Sequence, residues 1–276
     1  AERVVLKKFK NYYPGTPIDS DAIKEAILLQ LLNRYPDTKS VGYYGIVLTK
    51  NTRELFQIME PLEKDLSEWV TNKYPAEQYR IIFYQILKAF NAIHAVGVVH
   101  NDIKLLNIMV SGNDIRIIDF GLAEYLGVAP IKELVDNYIS TEITKAPDAL
   151  DQAGYGYTAK NRKTYASDLY SIGATMIHLT FRGFWKIIVK ANTISIVNGR
   201  SIQDVSLNLQ KPERFGKLGF DLLLKIMNPD THERWCAKEA LGHPYFAGLS
   251  GYVPIDRSIM LGGGNVKQFY QSHIEY

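Results

Sequence analysis

The spacing of apolar residues along this chain switches between a period of two and one near three and a half, and the switches outline its elements. Arg3 to Phe9, RVVLKKF, is rich in β-formers and reads as a strand. Thr16-Pro17-Ile18-Asp19 is a helix start, with a Thr cap, Pro in the first turn and an acid three residues on. The helix that follows reaches about Leu32 and carries Ile23, Ile27 and Leu31 at helical spacing. Val41 to Leu48 and Glu54 to Met59 read as a hairpin turning at Lys50-Asn51-Thr52, and Asp65-Leu66 opens a further helix. Glu77 to Val96 is a long amphipathic helix with Ile82, Ile86, Phe90 and Ile93 on one face, ended by Gly97. Two short apolar runs, Ile108 to Val110 and Ile115 to Ile118, flank Ser111-Gly112-Asn113-Asp114 and predict a second hairpin. Residues 181–216 read as ordinary helices and loops, and Gly262-Gly263-Gly264 as a flexible tail element.

Composition narrows the class without naming a function. The chain has 276 residues and 46% apolar content, enough for one large domain or two small ones. Its net charge of +3 and pI near 8.7 are too mild and dispersed to argue for nucleic-acid binding. A single cysteine, Cys236, excludes an intrachain disulfide and suggests a reducing, intracellular setting, cytoplasmic or nuclear. No run approaches the ~18 continuous apolar residues of a membrane span, and no signal peptide is evident, so no membrane partner is expected.

Candidate chemistry gathers at the second hairpin. Asp102, Lys104 and Asn107 precede its first strand, and Asp119 follows its second. A hairpin brings its outer ends together, so the four side chains should converge on one edge. Two carboxylates, an amide oxygen and an ammonium in one cleft suit phosphate chemistry with Mg²⁺.

These residues stand in His100-Asn101-Asp102-Ile103-Lys104-Leu105-Leu106-Asn107 and Asp119-Phe120-Gly121. The pair resembles the catalytic loop and metal loop of eukaryotic-type Ser/Thr protein kinases, and the likeness extends over roughly residues 3–247. It implies an α+β, bilobal protein-kinase-like fold. A small, truncated β-rich N-lobe would span residues 1–60, a mainly helical C-lobe residues 61–248 and a tail residues 249–276. The resemblance implies transfer of the ATP γ-phosphoryl group to a protein hydroxyl, with ATP and Mg²⁺ as cofactors and a protein as substrate. Asp102 would accept the substrate proton and Lys104 would offset charge on the moving phosphoryl group. Thr141 would bond the catalytic pair, and Asn107 and Asp119 would hold Mg²⁺.

Val4-Val5-Leu6-Lys7 resembles the family's phosphate-clamping strand. Alternation puts Lys7 and Lys8 on opposite faces, and the motif register favours Lys7, with Glu25 as its partner. Met59 falls at the residue that gates the adenine pocket, and Glu60-Pro61-Leu62 at the hinge, making Met59, Glu60 and Leu62 nucleotide-site candidates. Ala146-Pro147-Asp148 matches the family's A-P-E, with Asp148 expected to pair with Arg234. Ser167-Asp168-Leu169-Tyr170-Ser171-Ile172-Gly173 resembles the central helix, with Tyr170 for Trp and Asp168 bracing the catalytic loop.

Two departures count against a straightforward match. Asn101 stands where the family has Arg, and only six residues precede Lys7, none of them a Gly-rich loop. Gly262 and Gly264 fit two positions of that loop, but Lys267 fills the third, so they are not taken for it. The rival reading is a pseudokinase scaffold that binds a partner with little catalysis. A small-molecule kinase is a third reading, disfavoured by Ala146-Pro147-Asp148 and Arg234. The compact lobe and divergent motifs also resemble kinases of large DNA viruses.

Overall fold

The computed structural model describes residues 3–9, 20–51, 54–69, 75–111, 114–126, 165–181, 186–190, 192–198 and 201–249. The Thr16 helix cap, Thr141, Asp148 and the tail after Leu249 lie outside them.

Strand β1, Val5–Lys8, is followed by helix α1, Ser20–Leu32, and then by β2, Tyr43–Leu48, and β3, Leu55–Met59. These strands form an antiparallel sheet in the order β1-β3-β2, with β1 at an edge. Helix α1 packs over it, but on a different face from the one its sequence suggests. Ile23 and Ile27 are exposed, whereas Glu25, Ala26, Leu28, Leu29 and Leu32 are buried. The helix carries apolar residues on most of its circumference, so spacing alone offers two stripes. The stripe that turns inward is the one that also brings Glu25 to the sheet.

A short β4, Lys64–Asp65, leads into α2, Leu66–Trp69, whose start is held by Asp65. Its Oδ1 accepts from the backbone N–H of Ser67 (2.7 Å) and Glu68 (3.3 Å) and from the Ser67 hydroxyl. Helix α3, Ala76–Val96, is the main beam of the core. Ile82, Phe83, Ile86, Leu87, Phe90 and Ile93 are fully buried along it, each contributing about 1.5–3 kcal/mol. Gly97 ends it at φ 93°, a left-handed conformation open to glycine without a Cβ penalty.

Strand β5, Val98–Val99, carries the chain into the polar loop before β6, Ile108–Ser111. Strand β7, Asp114–Ile117, pairs antiparallel with β6 as the pattern predicts, and β4 adds to β6 on its other side. The Ile115 N–H donates to Gln85 Oε1 on α3 (3.2 Å), locking the hairpin to the beam. A single 3-10 turn, Phe120–Leu122, precedes β8, Glu124–Tyr125, which pairs back with β5.

Helix α4, Tyr165–Phe181, runs buried through the core beside α3. After it the structure corrects the sequence reading. Residues expected as helices and loops instead form a three-stranded antiparallel sheet of β9, Lys186–Lys190, β10, Thr193–Asn198, and β11, Ser201–Asp204, with β10 central. The cause is a period-two alternation of β-branched residues. Ile187, Val189, Ile194 and Ile196 face inward and are buried, while the residues between them are not. Helices α5, Ser206–Leu209, α6, Gly216–Ile226, and α7, Ala237–Leu241, complete the structure. No helix among the described residues is long and apolar enough to cross a membrane.

Candidate active site

The loop between β5 and β6 is built on a buried carboxylate rather than on its own turns. Asp168, 1% exposed on α4, accepts from the backbone N–H of His100 (2.9 Å) and of Asn101 (3.0 Å). Its Oδ2 also accepts from His94 Nε2 on α3 (2.9 Å). The His100 ring spans the loop from the other side. Its Nδ1 accepts from the Asp102 N–H (3.2 Å) and its Nε2–H donates to the Ile118 carbonyl (3.0 Å). Both hairpin ends are thereby tied to one frame, and Ile118 N–H closes it by donating to the Asn107 carbonyl (3.0 Å).

On that frame Asp102 is 6% exposed and sits among donors. Its Oδ2 receives Lys104 Nζ at 2.7 Å and Asn107 Nδ2 at 3.0 Å, and Asn107 Nδ2 also reaches the Asp102 carbonyl at 2.8 Å. With its amide nitrogen so used, the atom Asn107 can offer a cation is its carbonyl oxygen. Of the four residues expected on one edge, Asp102, Lys104 and Asn107 are bonded together, and Ile118, the neighbour of Asp119, is tied to Asn107 through the backbone.

Asp119 adopts φ 62° and Asn101 φ 67°, left-handed conformations for which Asp and Asn are the better tolerated side chains. Strained backbone at both ends of one polar cluster is a mark of a functional site. Asn101 Nδ2 donates to the Leu122 carbonyl (3.0 Å), stitching the catalytic loop to the turn after Asp119.

From the opposite sheet, Lys7 Nζ meets Glu25 Oε1 at 2.8 Å and Oε2 at 3.0 Å, and Asp119 Oδ1 at 3.3 Å. Lys8 pairs with Glu54 at 2.8 Å instead, so the two lysines lie on opposite faces as strand alternation requires, and Lys7, the one the motif register favours, is the one that meets Glu25 and Asp119. Burial works to lower the Lys7 pKa, but Glu25 and Asp119 together hold it above the usual lysine value. For Asp119, burial pushes upward, and Lys7, His100 and Lys104 together outweigh it, leaving the carboxyl below the ordinary Asp range. Lys7 is therefore a part-exposed cation shared between the carboxylates of two elements. Gln57, fully buried on β3, adds a third contact to Glu25, with Nε2 3.4 Å from Oε2. It was not singled out from sequence, although a glutamine inside the apolar run LFQIM is a visible anomaly.

Leu62 is buried, while Met59 and Glu60 are half-buried. The Glu60 side chain is held from two sides, by Arg116 Nε (3.0 Å) and the Gly42 N–H (2.9 Å). Arg116 Nη1 and Lys39 Nζ both reach Asp114 Oδ2, at 3.3 and 2.6 Å. Arg234 donates to the carbonyls of Asn228 (Nε, 2.8 Å) and Ala166 (Nη1, 3.0 Å) and lies over the Tyr170 ring. Its expected partner Asp148, like Thr141, lies outside the described residues.

Among the described residues no group of three or more His, Cys, Asp or Glu side chains is placed to hold a metal ion. Asn107 and Asp119 offer hard oxygens but too few for a protein-only cage. That donor set fits Mg²⁺, which keeps several waters and takes phosphate oxygens to complete its shell.

Comparison with known proteins bears on the same residues. A family model described as "Protein kinase domain" matches residues 1–246. Mitogen-activated protein kinases 10 and 11 of Oryza sativa subsp. japonica are each 27% identical to the chain, covering 90% of it and 44% and 48% of their own lengths. Mitogen-activated protein kinase 8 of Arabidopsis thaliana is 26% identical, covering 90% and 46%. The chain thus spans less than half the length of these relatives. Among solved structures, a chain of the yeast RNA Pol II CTD kinase CTDK-1 complex superposes with a TM-score of 0.68 at 20% identity, covering 92% of this chain and 88% of its own. That likeness concerns the fold.

Proposed function

This chain belongs to the protein kinase domain family, and from that premise we propose that it transfers the ATP γ-phosphoryl group to a serine or threonine hydroxyl of a protein. One observation supports the reading: Lys104 and Asn107 both donate to Asp102 Oδ2, at 2.7 and 3.0 Å, on a loop that the Ile118 N–H ties to the strand end carrying Asp119, itself bonded to Lys7.

In this reading Asp102 accepts the hydroxyl proton and aims the nucleophile. A loose phosphoryl-transfer transition state asks mainly for positioning, which the Lys104 and Asn107 contacts supply. Lys104, already on Asp102, stays beside the transferred group and offsets its charge. Lys7 swings from Asp119 to the α- and β-phosphates while Glu25 keeps hold of it. Asn107 and Asp119 would hold Mg²⁺, whose charge stabilises the phosphate oxygens when bound. Met59, Glu60 and Leu62 would border the adenine, with Glu60 offering its backbone carbonyl because its side chain is committed to Arg116 and Gly42 and its N–H to the Gly42 carbonyl. Lys104, two residues after Asp102, supports Ser/Thr over Tyr acceptors by resemblance, as does Thr141.

The test is phosphate incorporation from labelled ATP into a generic protein substrate, with Asp102→Asn as control. Transfer by the wild type and a loss of at least ~10²-fold in the variant are expected. Equal incorporation by both proteins would refute the assignment.

A further inference from the structure

We infer that Gln57 is a positioning residue that keeps Glu25 aimed at Lys7 while Lys7 is drawn toward the nucleotide phosphates. The inference rests on the phosphotransfer reading above and adds a residue to it.

Glu25 is 5% exposed and its carboxylate bonds Lys7 through both oxygens. Lys7 is the more exposed member of that pair: its side chain is 38% exposed against 6% for Glu25, and it is already divided between Glu25 and Asp119. Each shift of the ammonium toward a phosphate weakens a contact to a carboxylate that is itself buried. A buried carboxylate losing its donor is strongly unfavourable, so the helix carrying it would tend to move. Gln57 sits where it can prevent this. It is fully buried on β3, the central strand of the sheet, between Lys7 on β1 and Ile46 on β2 in register.

Of the two amide orientations only one is attractive, with the NH₂ toward Glu25 Oε2 and the carbonyl away. The 3.4 Å separation is at the long end for a hydrogen bond, which leaves room for it to shorten as the Lys7–Glu25 bonds lengthen. Among the described residues nothing donates to the Gln57 carbonyl oxygen, which is buried. An unsatisfied buried oxygen costs stability, so what the amide gains lies at its NH₂ end, on Glu25.

The two roles separate in Gln57→Met, which keeps the length of the side chain and removes both polar atoms. Removing an unpartnered buried oxygen should leave the thermal midpoint equal or higher. Removing the donor should lower kcat by about three- to tenfold, the scale of one ordinary hydrogen bond, as suits a contact as long as 3.4 Å, with KM for the protein substrate unchanged. Gln57→Glu should lower kcat further than Gln57→Met, because a second carboxylate repels Glu25 and competes for Lys7. An unchanged kcat in Gln57→Met, or a kcat that falls together with the thermal midpoint, overturns the inference. If the wild type transfers no phosphate, the phosphotransfer reading fails separately. Titration of an ATP analogue then decides for Gln57: weaker binding by Gln57→Met supports the role, and equal binding overturns it.

Discussion

Asp168→Ala should be among the most damaging single substitutions outside the reacting groups, and its size follows from the bonds it removes. The Asp168 carboxylate satisfies the N–H groups of His100, fully buried, and Asn101, 6% exposed, and also holds His94. Alanine leaves both N–H groups buried without that acceptor, at about 1–3 kcal/mol each, so about 4 kcal/mol is expected against a typical total of about 5–15 kcal/mol. Asp168→Asn keeps the shape but turns one acceptor into a donor facing another donor, for a loss of about 2–3 kcal/mol. His94→Phe keeps ring contact with Phe90 and Tyr165, whose centroids lie 5.7 and 4.9 Å away, and removes one bond, for about 1 kcal/mol. Urea unfolding followed by tryptophan fluorescence gives all three values, provided the slope stays constant. Because His94 and Asp168 touch, the double variant should fall short of additivity by about 1 kcal/mol. An Asp168→Ala protein within about 1 kcal/mol of wild type would refute the brace.

Asp119→Ala should lower the transfer rate by roughly 10²–10⁴-fold, the loss of one preorganised electrostatic element, in an assay with Mg²⁺ saturating. Phosphatase treatment should leave activity intact. Asn101 cannot read a phosphate as an arginine would, and Phe120 to Ile139 contains no Ser or Thr; a loss restored by rephosphorylation of Tyr125 or Tyr138 would overturn this. Tyr170→Phe removes the hydroxyl that donates to the Ile187 carbonyl (3.2 Å) and should destabilise by about 1 kcal/mol, read by urea midpoint. The depressed Asp119 pKa contributes stability that is complete above the ordinary Asp value of about 3.9 and is lost as pH falls through the folded value. The stability difference between wild type and Asp119→Asn should therefore shrink on acidification from about pH 5 to pH 2, measured by urea midpoint at each pH.

The site was legible in the sequence where local pattern alone brings side chains together. The hairpin between Asn107 and Asp119 needs only two apolar runs and a polar turn, and it puts those residues side by side. Strict strand alternation put Lys7 and Lys8 on opposite faces, and motif register, a non-local signal, singled out Lys7. Helix α1 was harder, since Ile23 and Ile27 are as apolar as Leu28 and Leu32, and tertiary contact decides which pair turns inward. The same limit hid Gln57 and the Glu60–Arg116 contact, which join residues 32 and 56 positions away from Glu25 and Glu60 respectively. No local period reports on such distant partners. The β9–β11 sheet was a different failure. Its alternation was present in KIIVK and TISIV, but the expectation of a helical region after α4 hid it.

That sheet also divides the chain into stretches with unequal freedom to vary. It enters the core through Ile187, Val189, Ile194 and Ile196 and through one hydroxyl bond from Tyr170, whereas all four residues of β11 are exposed. Under random mutagenesis every second position of β9 and β10 should resist change, while β11 accepts nearly any residue compatible with a strand. Sequence drift would therefore accumulate along Ser201–Asp204, making it a natural place to write an epitope or a label.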